Sequence, residues 1–180
     1  WRNTAPGGAN PAVTENRRRR LAYISPLPPV RSGIADYSAD LLPELSEHYD
    51  VEVIVDQAEA MTDPWIRENC PIRSPQWLID HAGQYERVLY HFGNSPFHEH
   101  MFALLEKVPG VVVLHDFYLS AVQAYRELNG RASGAWTRAL YAGHGYRAVQ
   151  ERFDASDADE VTWRYPANLP VLQRAIGVVV

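Results

Sequence analysis

The chain has 180 residues, 46% hydrophobic and 22% charged, proportions that fit one globular domain and exclude a disordered or fibrous chain. A single cysteine, Cys70, excludes an intrachain disulfide framework and favours a reducing compartment. No apolar run approaches the ~18–20 residues that span a bilayer, and no export signal is visible. The net charge of −5 divides unevenly: +4 over residues 1–20 and −9 over the rest. An acidic body argues against nucleic acid as a partner. The Arg17–Arg20 run reads as a solvated lead-in to the first strand; the rival reading is contact with an acidic membrane surface or RNA.

Residues 1–16 mix Gly, Pro, Asn and Thr without apolar periodicity, so 1–20 is expected to be a flexible lead-in and 21–180 the domain. Leu21 to Ser25 is predicted as a first strand, followed by a proline-rich loop from Pro26 to Arg31. A helix is predicted next, with Ile34, Tyr37, Leu41, Leu42 and Leu45 on one face, and Pro43 should bend or end it. Val51–Val55 is a second strand. A less regular stretch from Asp56 to Pro75 leads to a short helix around Gln76–Gly83, and Arg87–Phe92 is a third strand.

Ser95 with Pro96 predicts an N-cap and first helical residue, opening a helix with Phe97, Met101, Leu104, Leu105 and Val108 on one face. Val111–Leu114 is apolar throughout, as expected of a strand covered on both faces. From Leu119 to Ala175 the pattern is mostly helical, with breaks predicted at Asn129-Gly130 and around Gly143–Gly145, and with Asn168 capping a last helix. The chain begins without Met and ends at Val180 inside what reads as a buried strand, so an excised domain of a longer protein is expected. This alternation predicts an α/β fold with a doubly wound, mainly parallel, Rossmann-like sheet.

In such sheets ligands gather beyond the carboxyl ends of the strands, which directs attention to three loops. After the first strand, Gly33 stands where the loop enters a helix. There a glycine lets an anion approach unpaired N–H groups, although a plain turn glycine fits equally. No G-x-G-x-x-G or P-loop motif is present. After the next such strand, His91, His98 and His100 crowd together; two positions apart on a helix, His98 and His100 diverge by about 200°, which disfavours a shared metal. Those two are expected to decorate a helical turn, leaving Asn94 and the Gly93 backbone as the polar constellation. His115 and Asp116 leave the last strand together, either as a satisfied structural pair or as a functional one.

The segments SPLPPVRSGIADYSADLLPEL, YHFGNSPFHEHMFALLEKVPGVVVLHDFYLS and NLPVLQRAIGVVV, in that order, resemble the N-terminal domain of GT-B glycosyltransferases. The resemblance is to family 4 retaining enzymes of bacterial polysaccharide and lipopolysaccharide assembly. It implies an acceptor-side domain facing a nucleotide-sugar donor and a glycan or lipid-linked acceptor, with a C-terminal donor domain absent from these residues. It implies that the Ser32–Gly33 loop meets the donor diphosphate and that His115 hydrogen-bonds the donor sugar. Asp36, Asn94 and Asp116 fall in matching motifs as cleft or acceptor-binding residues. No metal and no cofactor are implied beyond the nucleotide-sugar co-substrate, and the expected location is cytoplasmic, with peripheral contact at the inner membrane face. A non-catalytic binding or scaffolding domain and a sugar-nucleotide epimerase fragment are the alternatives.

Overall fold

A computed structural model describes residues 17–57 and 59–180. The expected lead-in over 1–16 lies outside the described residues. Among the described residues six strands form one all-parallel sheet: β1 (Arg19–Ile24), β2 (Tyr49–Ile54), β3 (Ile72–Arg73), β4 (Arg87–Phe92), β5 (Val111–Leu114) and β6 (Gly177–Val179). Their order is β3-β2-β1-β4-β5-β6, the Rossmann-like arrangement whose direction of winding reverses between β1 and β4. The helices are α1 (Gly33–Ser46), α2 (Pro64–Asn69), α3 (Pro75–His81), α4 (Glu99–Lys107), α5 (Ser120–Leu128), α6 (Ala135–Asp154), α7 (Ala158–Arg164) and α8 (Leu169–Arg174).

Strand alternation sorts the core into two layers. Ala22, Ile24, Tyr90, Phe92, Val112 and Leu114 point to one face and pack with Leu78 of α3, Leu104 and Leu105 of α4, and Val122 of α5. Leu21, Tyr23, Val51 and Val53 point to the other, against Leu42 of α1 and Ile66 of α2. A third cluster around Trp136 joins α5, α6 and α7, outside the sheet.

Several expectations are corrected. β1 begins at Arg19, so the last two arginines of the basic run belong to the sheet. Arg20 is tied to Glu52 and, through its N–H, to Glu86, because a strand residue beside acidic neighbours gains more from pairing than from hydration. Helix α1 passes through Pro43 and ends a turn later, where Glu47 N–H bonds to the Glu44 carbonyl. Proline forfeits one backbone bond at any interior position, and here only three helical residues follow it. The stretch from Asp56 to Pro75 contains α2, capped by Asp63, and the two-residue strand β3. Both are too short for a clear period.

Pro96–His98 forms a 3-10 turn before α4 begins, and its tighter winding rotates Phe97 outward, where it is 45% exposed. β5 is fully covered on one face only: Val111 and Val113 are half-buried, because α1 and α2 pack over the β1–β2 end of their face. β6 is an edge strand, paired with β5 alone, and Val178, Val179 and Val180 are exposed. Gly145, with φ +75°, kinks α6 where the break was expected. Asn168 precedes α8 as expected, but its Nδ2 donates to the Phe117 carbonyl at 2.8 Å instead of its oxygen capping the helix.

Midway along β2, Glu52 is 7% exposed and gathers Arg20, Arg73 and the Tyr85 hydroxyl, the last two at 2.9 Å. Burial pushes its pKa up, but these three partners outweigh burial and hold the carboxyl below its ordinary range. Glu52→Ala should lower unfolding stability by about 1–3 kcal/mol, because Tyr85 loses its acceptor while both arginines can still reach water. Urea denaturation of the two chains checks this, and an unchanged midpoint would remove Glu52 from the ties between β1, β2 and β3.

Candidate functional site at the carboxyl edge of the sheet

The register of β4 against β5 aligns His91 with Val113 and Phe92 with Leu114. The ladder continues one step past β5, where His115 N–H donates to the Phe92 carbonyl at 2.9 Å. His115 stands two residues beyond Val113, so strand alternation puts it on the same face as His91. Tyr23 of β1 is aligned with Leu89 and therefore shares that face. The result is a run of rings across the switch point: Tyr23 against His91 at 4.6 Å between centroids, and His91 stacked with His115 at 5.2 Å. Tyr37, from the second turn of α1, sets its ring edge-on to His115 at 5.2 Å.

The two histidines are hydrogen-bonded, Nδ1 of His91 to Nε2 of His115, at 2.9 Å. One proton serves this bond, so a doubly cationic pair would set two N–H groups against each other. His91 is fully buried. Desolvation, aided by the neighbouring His115 and His98, pushes its pKa down to about 3. His115 is half-buried; desolvation lowers its pKa as well, while Asp116 opposes the shift. Both rings are therefore neutral at neutral pH. Beneath Tyr37, Tyr23 Oη donates to Ser38 Oγ at 2.9 Å, and Ser38 Oγ is 2.7 Å from Ser25 Oγ.

The two loops beside the pair are latched together. Asn94 N–H donates to the Asp116 carboxylate at 2.7 Å, and Asn94 Oδ1 accepts from Val122 N–H in the first turn of α5 at 3.0 Å. Gly93 lies at the crossing. A Cβ there would collide with the Ile34 side chain and come within 2.9 Å of the His98 ring and 3.2 Å of Asp116 Oδ2. That is the physical need for glycine at this position. Gly33, by contrast, has open space around an added Cβ and begins α1 behind Ser32, whose Oγ accepts from Ile34 N–H at 3.3 Å. Asp36 is exposed in the first turn of the same helix.

The structure thus brings His115, Asp116 and Asn94 into one latch, and α1 carries Ser32, Gly33 and Asp36 to its edge with Tyr37. The expectation that His98 and His100 decorate a surface turn is overturned. His98 is 1% exposed, with Nδ1 3.0 Å from Ser95 Oγ, and burial pushes its pKa down to about 4. His100 is also largely enclosed, its Nδ1 4.0 Å from Asp56. The 3-10 turn puts His98 inward beneath Gly93, while His100 follows it in the first turn of α4. Among the described residues no three His, Cys, Asp or Glu side chains are arranged to hold a metal ion. No described helix is long and apolar enough to cross a membrane.

From the sequence His91 was named only among three crowded histidines, and Tyr37 only on the apolar face of α1, where it is instead 47% exposed; neither was assigned to this site. The available signal was a histidine at alternation distance from the end of an otherwise apolar strand. The fold and this edge place the chain in the class of α/β proteins with a Rossmann-like parallel sheet. No protein-family model, curated protein or solved structure matches it.

Two measurements test the geometry. Unfolded, His91 and His98 titrate near their ordinary 6.5; folded, near about 3 and about 4. Stability should be full above the ordinary value and fall as pH drops toward the folded values, because only the unfolded chain takes up the protons. Each ring contributes up to about 1.4 kcal/mol per pH unit in that window. Denaturation at about pH 7 and about pH 5 reads the slope, and a flat profile would contradict neutral burial. Gly93→Ala should cost about 1–3 kcal/mol through overpacking, with a matching drop in melting temperature. Gly33→Ala should leave that temperature within about 2 °C, the shift expected of roughly half a kcal/mol or less.

Proposed function

We propose that this chain is the acceptor-side domain of a GT-B, family 4 retaining glycosyltransferase that moves a sugar from a nucleotide-sugar to a glycan or lipid-linked acceptor. The observation that carries the reading is the meeting, at the switch point of the sheet, of the α1 N-terminus with a solvent-reaching histidine. The first offers Ser32, the Gly33 N–H and the positive end of the helix dipole to a diphosphate. The second, His115, is a neutral hydrogen-bond donor suited to a sugar hydroxyl. Three part-exposed aromatic rings, Tyr37, Phe97 and Phe117, follow β1, β4 and β5 and give the edge apolar faces for a pyranose.

In this reading His115 contributes a preorganised donor and α1 contributes electrostatic stabilisation of the leaving diphosphate. Asn94 and Asp116 act through the latch that holds the His115 loop, and Asp36 stands exposed toward the acceptor side. The nucleotide and most of the donor contacts belong to the C-terminal domain of the full enzyme. The domain works in the cytoplasm, and its acceptor brings it to the inner face of the membrane.

The test uses a chain that carries the donor domain. His115→Ala should lower kcat about 10²–10³-fold, the usual loss for one well-placed donor, with the melting temperature little changed. Gly33→Val should weaken nucleotide-sugar binding while leaving the fold intact, since its Cβ meets nothing. A loss of kcat below about threefold, under ~0.7 kcal/mol, would take His115 out of the site. Nucleotide-sugar binding without any transfer would support a non-catalytic binding domain instead.

A further inference from the structure

We infer that His91 is a positioning residue: its Nδ1–H donates to Nε2 of His115, which fixes His115 as the tautomer whose proton is on Nδ1, facing solvent. The argument begins with the proton count of a sealed ring. His91 is 0% exposed, its Nδ1 meets His115 at 2.9 Å, and its Nε2 has no hydrogen-bond partner among the described residues. A neutral imidazole carries one N–H and one bare nitrogen. If the proton were on Nε2, a buried N–H would stand without an acceptor, a much rarer arrangement than an unused lone pair. With the proton on Nδ1, the only N–H of the ring is bonded.

The consequence passes to the second ring. Once Nε2 of His115 accepts, its own proton must reside on Nδ1. That atom has no partner among the described residues and is not among the sealed, unpartnered nitrogens, so it reaches solvent. Rotation is blocked on the remaining sides: the Tyr37 ring is edge-on, the His91 ring is stacked, and the His115 backbone N–H is pinned to Phe92. The charged and titratable groups facing the pair are Asp116 on its own loop, His98 from the turn before α4, and Tyr23 and Tyr37 from β1 and α1. Only Asp116 favours a cation, and it is already committed to Asn94 N–H.

A buried strand residue that makes no contact with solvent thus decides which atom of His115 is offered, and in which chemical form. His115 would act as a donor and not as a base. This inference deepens the glycosyltransferase reading where a ligand is concerned, but the tautomer itself stands on the unliganded chain.

The experiment uses the 180-residue chain with 15N-labelled histidine and long-range proton–nitrogen correlation spectra at neutral pH, which report the tautomer of each ring directly. The expected result is the Nδ1–H form for both His91 and His115. His91→Asn, whose amide nitrogen falls near the former Nδ1, should keep His115 in that form. His91→Phe keeps a ring but no donor, and should release His115 to the Nε2–H form that free imidazole favours. Circular dichroism and melting temperature establish that each variant is folded. If the Phe variant fails to fold, the wild-type spectrum and the Asn variant still decide the matter.

An Nε2–H form at His91 would overturn the inference, as would an unchanged His115 tautomer in folded His91→Phe. In a chain that carries the donor domain, the Kd of a bound nucleotide-sugar should rise about threefold to tenfold in His91→Phe, the worth of one neutral hydrogen bond, and recover in His91→Asn. Absence of any nucleotide-sugar binding by that longer chain, with the tautomers as expected, would refute the transferase reading and leave His91's role standing.

Discussion

A single backbone hydrogen bond, from His115 N–H to the Phe92 carbonyl, organises the carboxyl edge of this sheet. It carries the β4–β5 ladder one residue beyond the end of β5, so the first loop residue keeps the direction of a strand residue. Alternation then sends His115 to the face of His91, where their ring nitrogens come within hydrogen-bond distance. Had the chain turned away at Leu114, His115 would have had no fixed direction. The parallel arrangement also matters, because it puts the ends of β1, β4 and β5 at one edge, where α1 can lay Tyr37 over the pair.

The surroundings are arranged to keep this edge still. Asn94 has its N–H on Asp116 and its carbonyl on α5, so the loops after β4 and β5 and the start of a helix form one unit. Gly93 allows Ile34, His98 and Asp116 to close upon the same point. Polar side chains are expensive to bury, and this edge encloses His91, His98, Ser25 and Ser38. The cost is offset by pairing Ser25 with Ser38, His91 with His115 and His98 with Ser95, and by keeping the imidazoles neutral. A charged ring here would lose far more hydration than its neighbours return.

The opposite face of the sheet solves the same problem with charge. Glu52, midway along β2, takes both oxygens into bonds from Arg20, Arg73 and Tyr85, joining β1, β2 and β3. One face is held by a multiply bonded carboxylate, and the carboxyl edge of the other by neutral rings with one solvent-reaching donor. An edge built this way can meet an uncharged polar group beside an anion held at a helix N-terminus, which is the division of labour the proposed sugar transfer requires.

The sequence alone determined the order of the longer strands and of the helices α1 and α4. Strands β1, β2, β4 and β5 are short apolar runs, and α1 and α4 carry apolar residues at helical spacing, so local pattern sufficed for the Rossmann-like α/β sheet. It also pointed to the three loops, because parallel sheets bind ligands at one edge whatever their residues. Asparagine and glycine at the carboxyl end of α5, and the kink at Gly145, were legible because backbone conformation is a local property. Short pieces such as β3 and α2 were not, since two or six residues carry no period. Nor could spacing reveal that Pro96–His98 winds as a 3-10 turn, which buries His98 and exposes Phe97. The pairing of His91 with His115 joins residues 24 positions apart. It depends on strand register and on one added ladder bond, and those are set when whole strands pack against each other. Only the tertiary structure could decide them.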